Sequence, residues 1–350
     1  MVHVQLNTGP VGLRTYSGHY SQILTGFFLL ARQGRIRLSR RAGGTGVQAE
    51  VDGRTLYYDV LDGPEIDTGL LERCDYYFKR SFAPEFISGY RHARRIVPLG
   101  LNYEVYGDGP HWPEAWRALR SEAGYQARWR GFFRALRLTG SFLPTVSAMA
   151  QTRSTANPTV IFLTQVWSAE GHDHAVGPNV QVMNDTRAAC IRLLKKQFGA
   201  RALVGFWRTP LAERSYPDLI ADVCTEKEAY FSYLQDATIG VSTTGLFGSN
   251  PWKLGEYVAF GKAIVSEPLY YQVPGFNPGE HYLEFRSADE CAGMVQRLFD
   301  EPDLREQIAA HNVDYYRQLL QPDRLVMRTL EYATCVSDAA MRISEGKPLS

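Results

Sequence analysis

Val241–Ser266, VSTTGLFGSNPWKLGEYVAFGKAIVS, is the stretch that decides the fold. Its apolar start predicts the end of a strand, and a loop of glycine and hydroxyl residues follows. Pro251 predicts the first residue of a helix, Gly261 predicts its end, and Ala263–Ser266 predicts the next strand. A strand, a crossover helix and a second strand are typical of a parallel, Rossmann-like sheet.

The sequence around this stretch repeats the same alternation. The predicted elements are a strand Thr159–Val166, a helix Asp185–Phe198, strands Ala202–Phe206 and Thr238–Val241, and a helical tail from Ala288. Parallel strands joined by right-handed crossovers bring their carboxyl ends to one edge, where such sheets bind ligands. We therefore expect a site in the loops that follow Val166, Phe206, Val241 and Ser266.

The first half of the chain predicts a separate α/β lobe. Its strand-like stretches are Val2–Leu6, Ile36–Ser39, Val47–Val51, Thr55–Leu61, Cys74–Lys79 and Arg95–Leu99. Tyr20–Ala31 has the apolar spacing of a buried helix. We expect an N-terminal Rossmann-like lobe at residues 1–110, a basic aromatic helical connector and linker at 111–157, a second Rossmann-like lobe at 158–320 and a C-terminal helix or tail at 321–350.

Length and composition are those of a folded protein with two domains. The chain has 350 residues, of which 45% are hydrophobic and 21% charged, values that exclude a disordered or collagen-like chain. Thirty-eight basic residues nearly balance 37 acidic ones, and the net charge is +1. Without a strong positive field, no nucleic-acid partner is expected.

No segment predicts a membrane span or a secretory signal. The longest apolar run, Ile23–Ala31, is about half the length of a bilayer-spanning helix. The N-terminus, MVHVQLNTGP, lacks a basic start followed by an apolar stretch. The five cysteines are scattered and never in C-x-x-C spacing, which argues against a disulfide framework or a zinc site. We expect a cytoplasmic location.

The connector is basic and aromatic. Residues 112–137 combine several tryptophans and phenylalanines with six arginines, among them Arg128, Arg130 and Arg134. One interpretation is a weak contact with acidic lipid headgroups, which would make the protein peripheral at the inner membrane face. The other is a helix that packs its aromatic rings on the junction of the lobes and leaves its arginines in solvent.

Several stretches are similar to known binding motifs but do not match them. Gly44–Ala49 imitates a dinucleotide fingerprint, but strand-like residues follow it where a helix should begin. Gly255–Lys262 has one residue too many for a P-loop. His172–His174 lacks a neighbouring carboxylate or thiol cluster, and no two aspartates stand two positions apart. We therefore expect no metal site and no cofactor.

The loop and helix within Val241–Ser266 predict a cradle for a diphosphate. Small residues before a helix leave backbone N–H groups free to bind an anion, and these residues are Thr243, Thr244, Gly245 and Ser249, with Trp252 beside them. Lys253 adds a positive charge one turn inside the helix, and Glu256 can accept both hydroxyls of a ribose. The alternative is a plain crossover helix with Lys253 and Glu256 in solvent.

The run Ser242–Ser266 resembles the donor-binding segment of GT-B glycosyltransferases, particularly the retaining family-four (glycosyl transferases group 1) enzymes. Glu256 and Gly261–Val265 match the family pattern of a ribose-binding glutamate followed by G-K-P-V-I. Asp300–Arg305 matches the family's D-x-P-x-L-R tail. The resemblance covers about the second half of the chain and is generic in the first half.

This resemblance implies a fold of two Rossmann-like lobes that face each other across a cleft, an acceptor-side lobe followed by a nucleotide-sugar-binding lobe. It implies transfer of a sugar from a nucleoside-diphosphate sugar to a hydroxyl of a glycan, lipid-linked or small-molecule acceptor, with retention and without a bound metal. Gly9 and Gly12 lie where such enzymes pass a glycine-rich turn beneath the donor phosphates. The candidate catalytic residues are His19, Asp62, Arg208 and Lys253.

One position departs from the family pattern. The family usually has two glutamates eight positions apart, and the earlier one reaches the donor sugar. Glu256 matches the later glutamate, and Gly248 stands at the position of the earlier one. One alternative is therefore a non-catalytic GT-B relative that binds a sugar nucleotide or glycan. A further alternative is a sugar-nucleotide epimerase or phosphorylase on the same fold, because fold does not fix reaction.

Overall fold

The structure, a computed structural model, describes residues 1–9, 17–43, 45–109, 119, 124–136, 144–149, 157–170 and 176–344. Gly12, the His172–His174 motif and most of the predicted linker lie outside these residues. The stretches around residues 110 and 157 are only partly described, and the four-segment division therefore stays a prediction.

The first lobe is built on a six-stranded sheet in the order β2-β1-β3-β4-β5-β6. Its strands are β1 (Val2–Thr8), β2 (Ile36–Ala42), β3 (Val47–Val51), β4 (Arg54–Asp59), β5 (Tyr76–Lys79) and β6 (Ile96–Pro98). β3 is antiparallel to both of its neighbours, and the other pairs are parallel. The tight turn at Asp52 and Gly53 joins β3 to β4 with both residues at positive φ, as a type I′ hairpin requires.

Five described helices accompany the first lobe and the connector. They are α1 (Ser17–Arg32), α2 (Thr68–Arg73), α3 (Pro84–Ile87), α4 (Tyr125–Ala135) and α5 (Val146–Met149). α1 buries Ile23, Phe27 and Leu30, which share one face because they are four and three residues apart. This face packs on the sheet and forms the core of the lobe with β1 and β3.

The second lobe has five parallel strands in the order β11-β10-β9-β7-β8. They are β7 (Val160–Thr164), β8 (Ala202–Phe206), β9 (Ile239–Ser242), β10 (Ala263–Ser266) and β11 (Leu283–Glu284). Its helices are α6 (Val180–Phe198), α7 (Pro210–Ser215), α8 (Lys227–Asp236), α9 (Trp252–Ala259), α10 (Ala288–Asp300) and α11 (Pro302–Tyr315). Helices on both faces bury the central strands β7, β9 and β10 completely, which is why these strands are apolar throughout.

The chain passes between the two lobes near Gly100 and again near Gln321. Leu99 belongs to the core of the first lobe, and Leu101 belongs to the core of the second. Leu320 lies in the second core, and the last helix, α12 (Pro322–Ser344), returns to pack on α1. α12 lies so close to α1 that a Cβ on Gly26 would be 2.2 Å from the Pro322 carbonyl oxygen. The C-terminal helix is therefore part of the first lobe's core.

Sequence and structure agree closely in the second lobe. The strands β8 and β10 have their predicted bounds, and α10 begins at the predicted Ala288. α6 begins five residues before the predicted Asp185, because the Asn179 side chain caps it by accepting from the Val182 N–H. α9 begins at Trp252 and not at Pro251, because Pro251 has extended backbone and takes the N-cap position. None of the described helices has the length and apolar character needed to cross a membrane.

Candidate functional site

The loop between β9 and α9, Ser242–Asn250, is the centre of the site. It turns on two consecutive residues in the left-handed region, Phe247 (φ 57°) and Gly248 (φ +71°). The Gly245 N–H donates to the Ser249 carbonyl at 2.9 Å, and a Cβ on Gly245 would lie 2.5 Å from Ser249 Oγ. A left-handed phenylalanine costs about 1–3 kcal/mol, which packing of the loop must offset. The loop is thus a tightly defined turn before α9.

Arg187 of α6 holds the start of this loop. Its Nε donates to Thr243 Oγ1 at 3.0 Å, its Nη2 to the Thr244 carbonyl at 2.8 Å, and its Nη1 to the Gln165 carbonyl at 2.8 Å. The Thr244 N–H donates to Glu267 Oε2 at 2.7 Å. Burial lowers the pKa of Arg187 to about 10, and the charge of Glu267 opposes the shift. Arg187 thereby joins the loops that follow β7 and β9, yet nothing in its local sequence marks it as a site residue.

Gly248 occupies the position of the missing family glutamate, and its surroundings leave no room for a side chain. A Cβ there would lie 2.9 Å from Val176 Cγ1 and 3.1 Å from the Val176 carbonyl oxygen. Gly177, also left-handed, brings its own backbone against Gly248. The glycine is therefore required by both its φ angle and its close contact with residues 176–177.

Lys253 and Glu256 of α9 are both turned into the protein. Lys253 Nζ donates to the Leu163 carbonyl at the end of β7 and lies 4.7 Å from the centre of the Trp207 ring. Burial and the charge of Arg187 lower the pKa of Lys253 to about 7, while Glu256 opposes the shift. Glu256 is 4% exposed and accepts a hydrogen bond from the Tyr230 hydroxyl at 3.2 Å. Burial raises the pKa of Glu256, against the charges of Lys227 and Lys253. These positions rule out a plain crossover helix with both side chains in solvent.

His19 of α1 approaches the start of α9 from the first lobe. Its ring meets the Trp252 ring edge-on, with centroids 4.6 Å apart. Burial, then the charge of Arg80, lowers the pKa of His19, and Asp62 and Glu104 act in the opposite direction. His19 Nδ1 is buried and has no hydrogen-bond partner among the described residues. The structure therefore brings together His19, Asp62 and Trp252, residues that the sequence assigned to two separate lobes.

Arg80 is the functional candidate that sequence reasoning missed. It follows β5 directly, is 2% exposed, and donates through Nη1 to Asp62 Oδ1 at 2.5 Å. Its Nη2 crosses to the second lobe and donates to the Asn250 carbonyl at 2.6 Å. The sequence predicts Asp62 as a candidate catalytic residue, without a partner. Its partnership with an arginine 18 positions away had no signal in the local sequence.

The remaining predicted residues lie apart from this group or are only partly placed. Arg208 follows β8, but its side chain is 62% exposed and pairs with Glu213 at 2.7 Å. The Gly9 N–H donates to the Gly46 carbonyl at 3.0 Å, where the end of β1 meets the start of β3. Ser249 is 4% exposed in the loop itself. The structure thus keeps Ser249 with the central group and directs Arg208 toward α7 and solvent.

Contacts between the lobes cover the start of α9. A Cβ on Gly18 of α1 would lie 3.0 Å from the Trp252 ring. The Arg80 guanidinium donates to the Asn250 carbonyl at 2.6 Å, and the Gln272 N–H donates to the Phe82 carbonyl at 2.8 Å. The two lobes are therefore closed on each other at the loop and at α9.

A cavity of about 360 Å³ lies at the carboxyl ends of β7 and β8. Its polar lining includes Asn184, Asp185 and Tyr216, beside the backbone of residues 166–169. Asn184 holds that backbone by two hydrogen bonds to Trp167, at 3.1 and 2.8 Å. Among the residues that the structure describes, no three His, Cys, Asp or Glu side chains group where they could hold a metal ion.

Comparison with known proteins bears on the second lobe. Residues 216–331 match a family model described as glycosyl transferase-like. This segment includes the loop, α9 and the strands on either side. No curated protein matches the sequence.

Solved glycosyltransferases are among the similar structures. Anabaena HepE (Alr3699) in complex with UDP is 12% identical, with a TM-score of 0.39, over 96% of this chain and 100% of that one. The Rickettsia africae glycosyltransferase is 10% identical, with a TM-score of 0.42, over 92% and 82%. The C-terminal domain of LpcC, a glycosyl transferase group 1 protein of Francisella tularensis, is 17% identical, with a TM-score of 0.34, over 48% and 94%. Such distant likenesses carry nothing about activity.

The family match and the two sheets confirm the resemblance to GT-B glycosyltransferases. The match covers the segment on which the resemblance was based, and the strand orders give two Rossmann-like lobes in contact along α9. The chain therefore folds into two Rossmann-like lobes in contact, as the resemblance to GT-B glycosyltransferases implies, and its residues 216–331 match a glycosyl transferase-like family model.

Proposed function

We propose that the protein transfers a sugar from a nucleoside-diphosphate sugar to an acceptor hydroxyl, with retention and without a bound metal. The observation that carries this proposal is the turn Ser242–Asn250 at the start of α9, facing His19, Asp62 and Arg80 of the other lobe. Such a turn leads into the positive end of a helix, whose first N–H groups have no partner within the helix and where a diphosphate binds without a metal. The family match over residues 216–331 supports the same chemistry.

Lys253 is proposed to supply positive charge to the departing diphosphate. Its pKa of about 7 reflects burial beside Arg187, and an incoming dianion would favour the charged amine. Charge that develops on the leaving group is then stabilised by groups already in place. Glu256 is proposed as the ribose ligand, and Thr243, Thr244 and Gly245 as loop contacts to the donor.

Donor binding in this proposal requires the lobes to separate. Glu256 is 4% exposed, and His19 of the first lobe contacts Trp252 at the start of the same helix. A ribose can reach the carboxylate only after these contacts open. Closure over the bound donor then excludes water and favours transfer over hydrolysis.

Turnover of nucleotide sugars tests the proposed activity. UDP-, GDP-, ADP- and CDP-sugars are incubated with the protein in EDTA, with and without a mixture of sugar and glycolipid acceptors, and released nucleoside diphosphate is measured. We expect release that depends on acceptor, and product NMR that shows the donor's anomeric configuration. Conversion of the nucleotide sugar to an isomer without release would instead indicate an epimerase. Inversion in the product would refute retention.

One observation favours a second candidate, a GT-B relative that binds a sugar nucleotide without turning it over. The family's sugar-contacting glutamate is replaced by Gly248, whose left-handed backbone and contact with Val176 leave no space for a carboxylate. Nucleotide-sugar binding without release or isomerisation, in the assay above, would support this candidate.

We also propose that α4 makes a weak contact with an anionic membrane surface. Tyr125, Trp129 and Phe133 are spaced four residues apart, on one side of the helix, and are 76%, 37% and 38% exposed. The sequence of the same helix includes Arg128, Arg130 and Arg134, and a helix that combines exposed aromatic residues with arginines suits the lipid headgroup region. Sedimentation with phosphatidylglycerol vesicles should be lost in Trp129→Ser/Phe133→Ser and kept in the control Phe86→Ser, also an exposed phenylalanine. Wild-type protein that does not sediment would end this proposal.

A further inference from the structure

Unpaired polar atoms gather where the two lobes meet at the start of α9. Arg80 Nε, Asn250 Oδ1 and His19 Nδ1 are each buried and have no hydrogen-bond partner among the described residues. Arg80 and Asn250 are 2% and 3% exposed, and the Arg80 guanidinium is bonded to the Asn250 carbonyl. His19 stacks edge-on against Trp252, the first residue of α9. Buried polar groups without partners are rare, so a cluster of them indicates a site whose partners arrive with a ligand.

The chemistry of Arg80 selects the kind of ligand. Its guanidinium already has a carboxylate partner in Asp62, which is 34% exposed, and backbone partners in Val60 and Asn250. The bond to the Asn250 carbonyl joins a cation to a neutral acceptor across the lobes. A phosphate oxygen is charged, and a phosphate accepts two parallel N–H bonds from one guanidinium, which a single neutral carbonyl oxygen does not. An available phosphate at this position would therefore replace the Asn250 carbonyl.

We propose that Arg80, delivered from the first lobe, is a ligand of the donor's diphosphate. This inference rests on the proposed function, which places the diphosphate at the start of α9. Arg80 holds the Asn250 carbonyl while the site is empty and exchanges it for phosphate oxygens when the donor binds. The first lobe thus contributes a fixed positive charge to the diphosphate, in addition to Lys253 of the second lobe.

Arg54 offers a matched control within the same lobe. It also reaches a distant backbone carbonyl, that of Ala333 at 2.9 Å, and donates to the Tyr76 hydroxyl at 3.1 Å. Neither partner belongs to the loop or to α9. Arg54→Gln therefore removes two arginine hydrogen bonds, one of them to a distant backbone carbonyl, without touching the proposed site.

Isothermal titration calorimetry tests the assignment with three probes: inorganic pyrophosphate, the nucleoside diphosphate that the wild type binds best among UDP, GDP, ADP and CDP, and the matching nucleoside. We expect Arg80→Gln to weaken the binding of pyrophosphate and of the nucleoside diphosphate by about tenfold or more, and the binding of the nucleoside by less than about twofold. Arg80→Lys keeps the charge but loses the planar guanidinium, and its affinity for these two probes should lie between the affinities of the wild type and of Arg80→Gln. Arg54→Gln should bind all three probes as the wild type does.

The outcomes separate this inference from the proposed function. Wild-type protein that binds none of the nucleoside diphosphates overturns the proposed function and the inference with it. Wild-type binding that Arg80→Gln leaves unchanged overturns the inference alone. Equal weakening of nucleoside and diphosphate also overturns it, because it shows that Arg80 only holds the loop in place. If Arg80→Gln does not fold, unchanged pyrophosphate affinity in Arg80→Lys overturns the inference instead.

Discussion

Replacing Arg187 by methionine tests whether this side chain holds the loop between β9 and α9. The substitution leaves the buried Thr244 carbonyl and the partly buried Gln165 carbonyl without their donor, at 2.8 Å each, and frees Thr243 Oγ1. Each buried acceptor left unsatisfied costs about 1–3 kcal/mol, and part of this is regained because a guanidinium no longer has to be buried. We therefore expect the free energy of unfolding to fall by about 3 kcal/mol.

The control for this prediction lies on the same helix. Arg192 also belongs to α6, but it is 53% exposed and pairs with Asp218 at 3.3 Å across the surface. Arg192→Met should change the free energy of unfolding by less than about 0.5 kcal/mol. Urea denaturation followed by far-UV circular dichroism gives the free energy of unfolding of both variants, provided that its dependence on urea concentration is the same in both. A loss in Arg187→Met no larger than that in Arg192→Met would refute the role given to Arg187.

Three further predictions follow from the same contacts. The pKa of Lys253 is lowered to about 7 in the free protein, and an anion bound at α9 should raise this pKa, so that binding adds a proton to the amine. The affinity for nucleoside diphosphate should therefore rise as pH falls from 8.5 and level off below about pH 7. Calorimetry in buffers of different ionisation enthalpy should show proton uptake that Lys253→Met abolishes, and equal uptake in the variant would contradict the linkage. Urea denaturation should show that Gly248→Ala lowers the free energy of unfolding by about 2–3 kcal/mol and that Gly279→Ala lowers it by about 1 kcal/mol. Both glycines have left-handed backbone (φ +71° and +80°), but only at Gly248 do other atoms lie within 4 Å of the new Cβ. Equal losses would show that Val176 moves aside without cost. Arg128→Gln/Arg130→Gln/Arg134→Gln should abolish sedimentation with phosphatidylglycerol vesicles, and retained sedimentation would show that arginine charge does not drive it.

The alternation of strands and helices in the second lobe could be predicted because it depends on local pattern. Apolar runs bounded by turn residues gave β8 and β10 their bounds. The G-K element of the family pattern also has a local structural reason. Gly261 is left-handed (φ +57°) just after α9, and Lys262 Nζ donates to the Ala237 carbonyl after α8 at 2.6 Å. These two residues build the fold around the site.

The partners of charged side chains could not be predicted, because they come from distant parts of the chain. Arg80 bonds a carbonyl 170 positions away, and Arg187 bonds residues 56 and 57 positions away. Arg208 attracted notice because it follows a strand, but helix α7 offers it Glu213 at the surface. Spacing placed Lys253 and Glu256 on one helix, and only the packing of Trp207 and Tyr230 shows that both are turned into the protein.

The C-terminal helix shows the same limit. The sequence predicts only a helix or tail at residues 321–350, and the surface that the helix covers lies on α1, some three hundred positions earlier in the chain. Gly26 explains the close approach only once Pro322 is seen beside it.

The most direct test of the central claim is nucleoside diphosphate binding at α9. The melting temperature of the wild type is measured in EDTA with UDP, GDP, ADP and CDP, beside Glu256→Ala and the exposed control Glu228→Ala. We predict that one of these diphosphates raises the melting temperature, that Glu256→Ala weakens its binding by roughly 1–3 kcal/mol, and that Glu228→Ala does not. No shift with any of them, or equal binding by Glu256→Ala and the wild type, would contradict the claim.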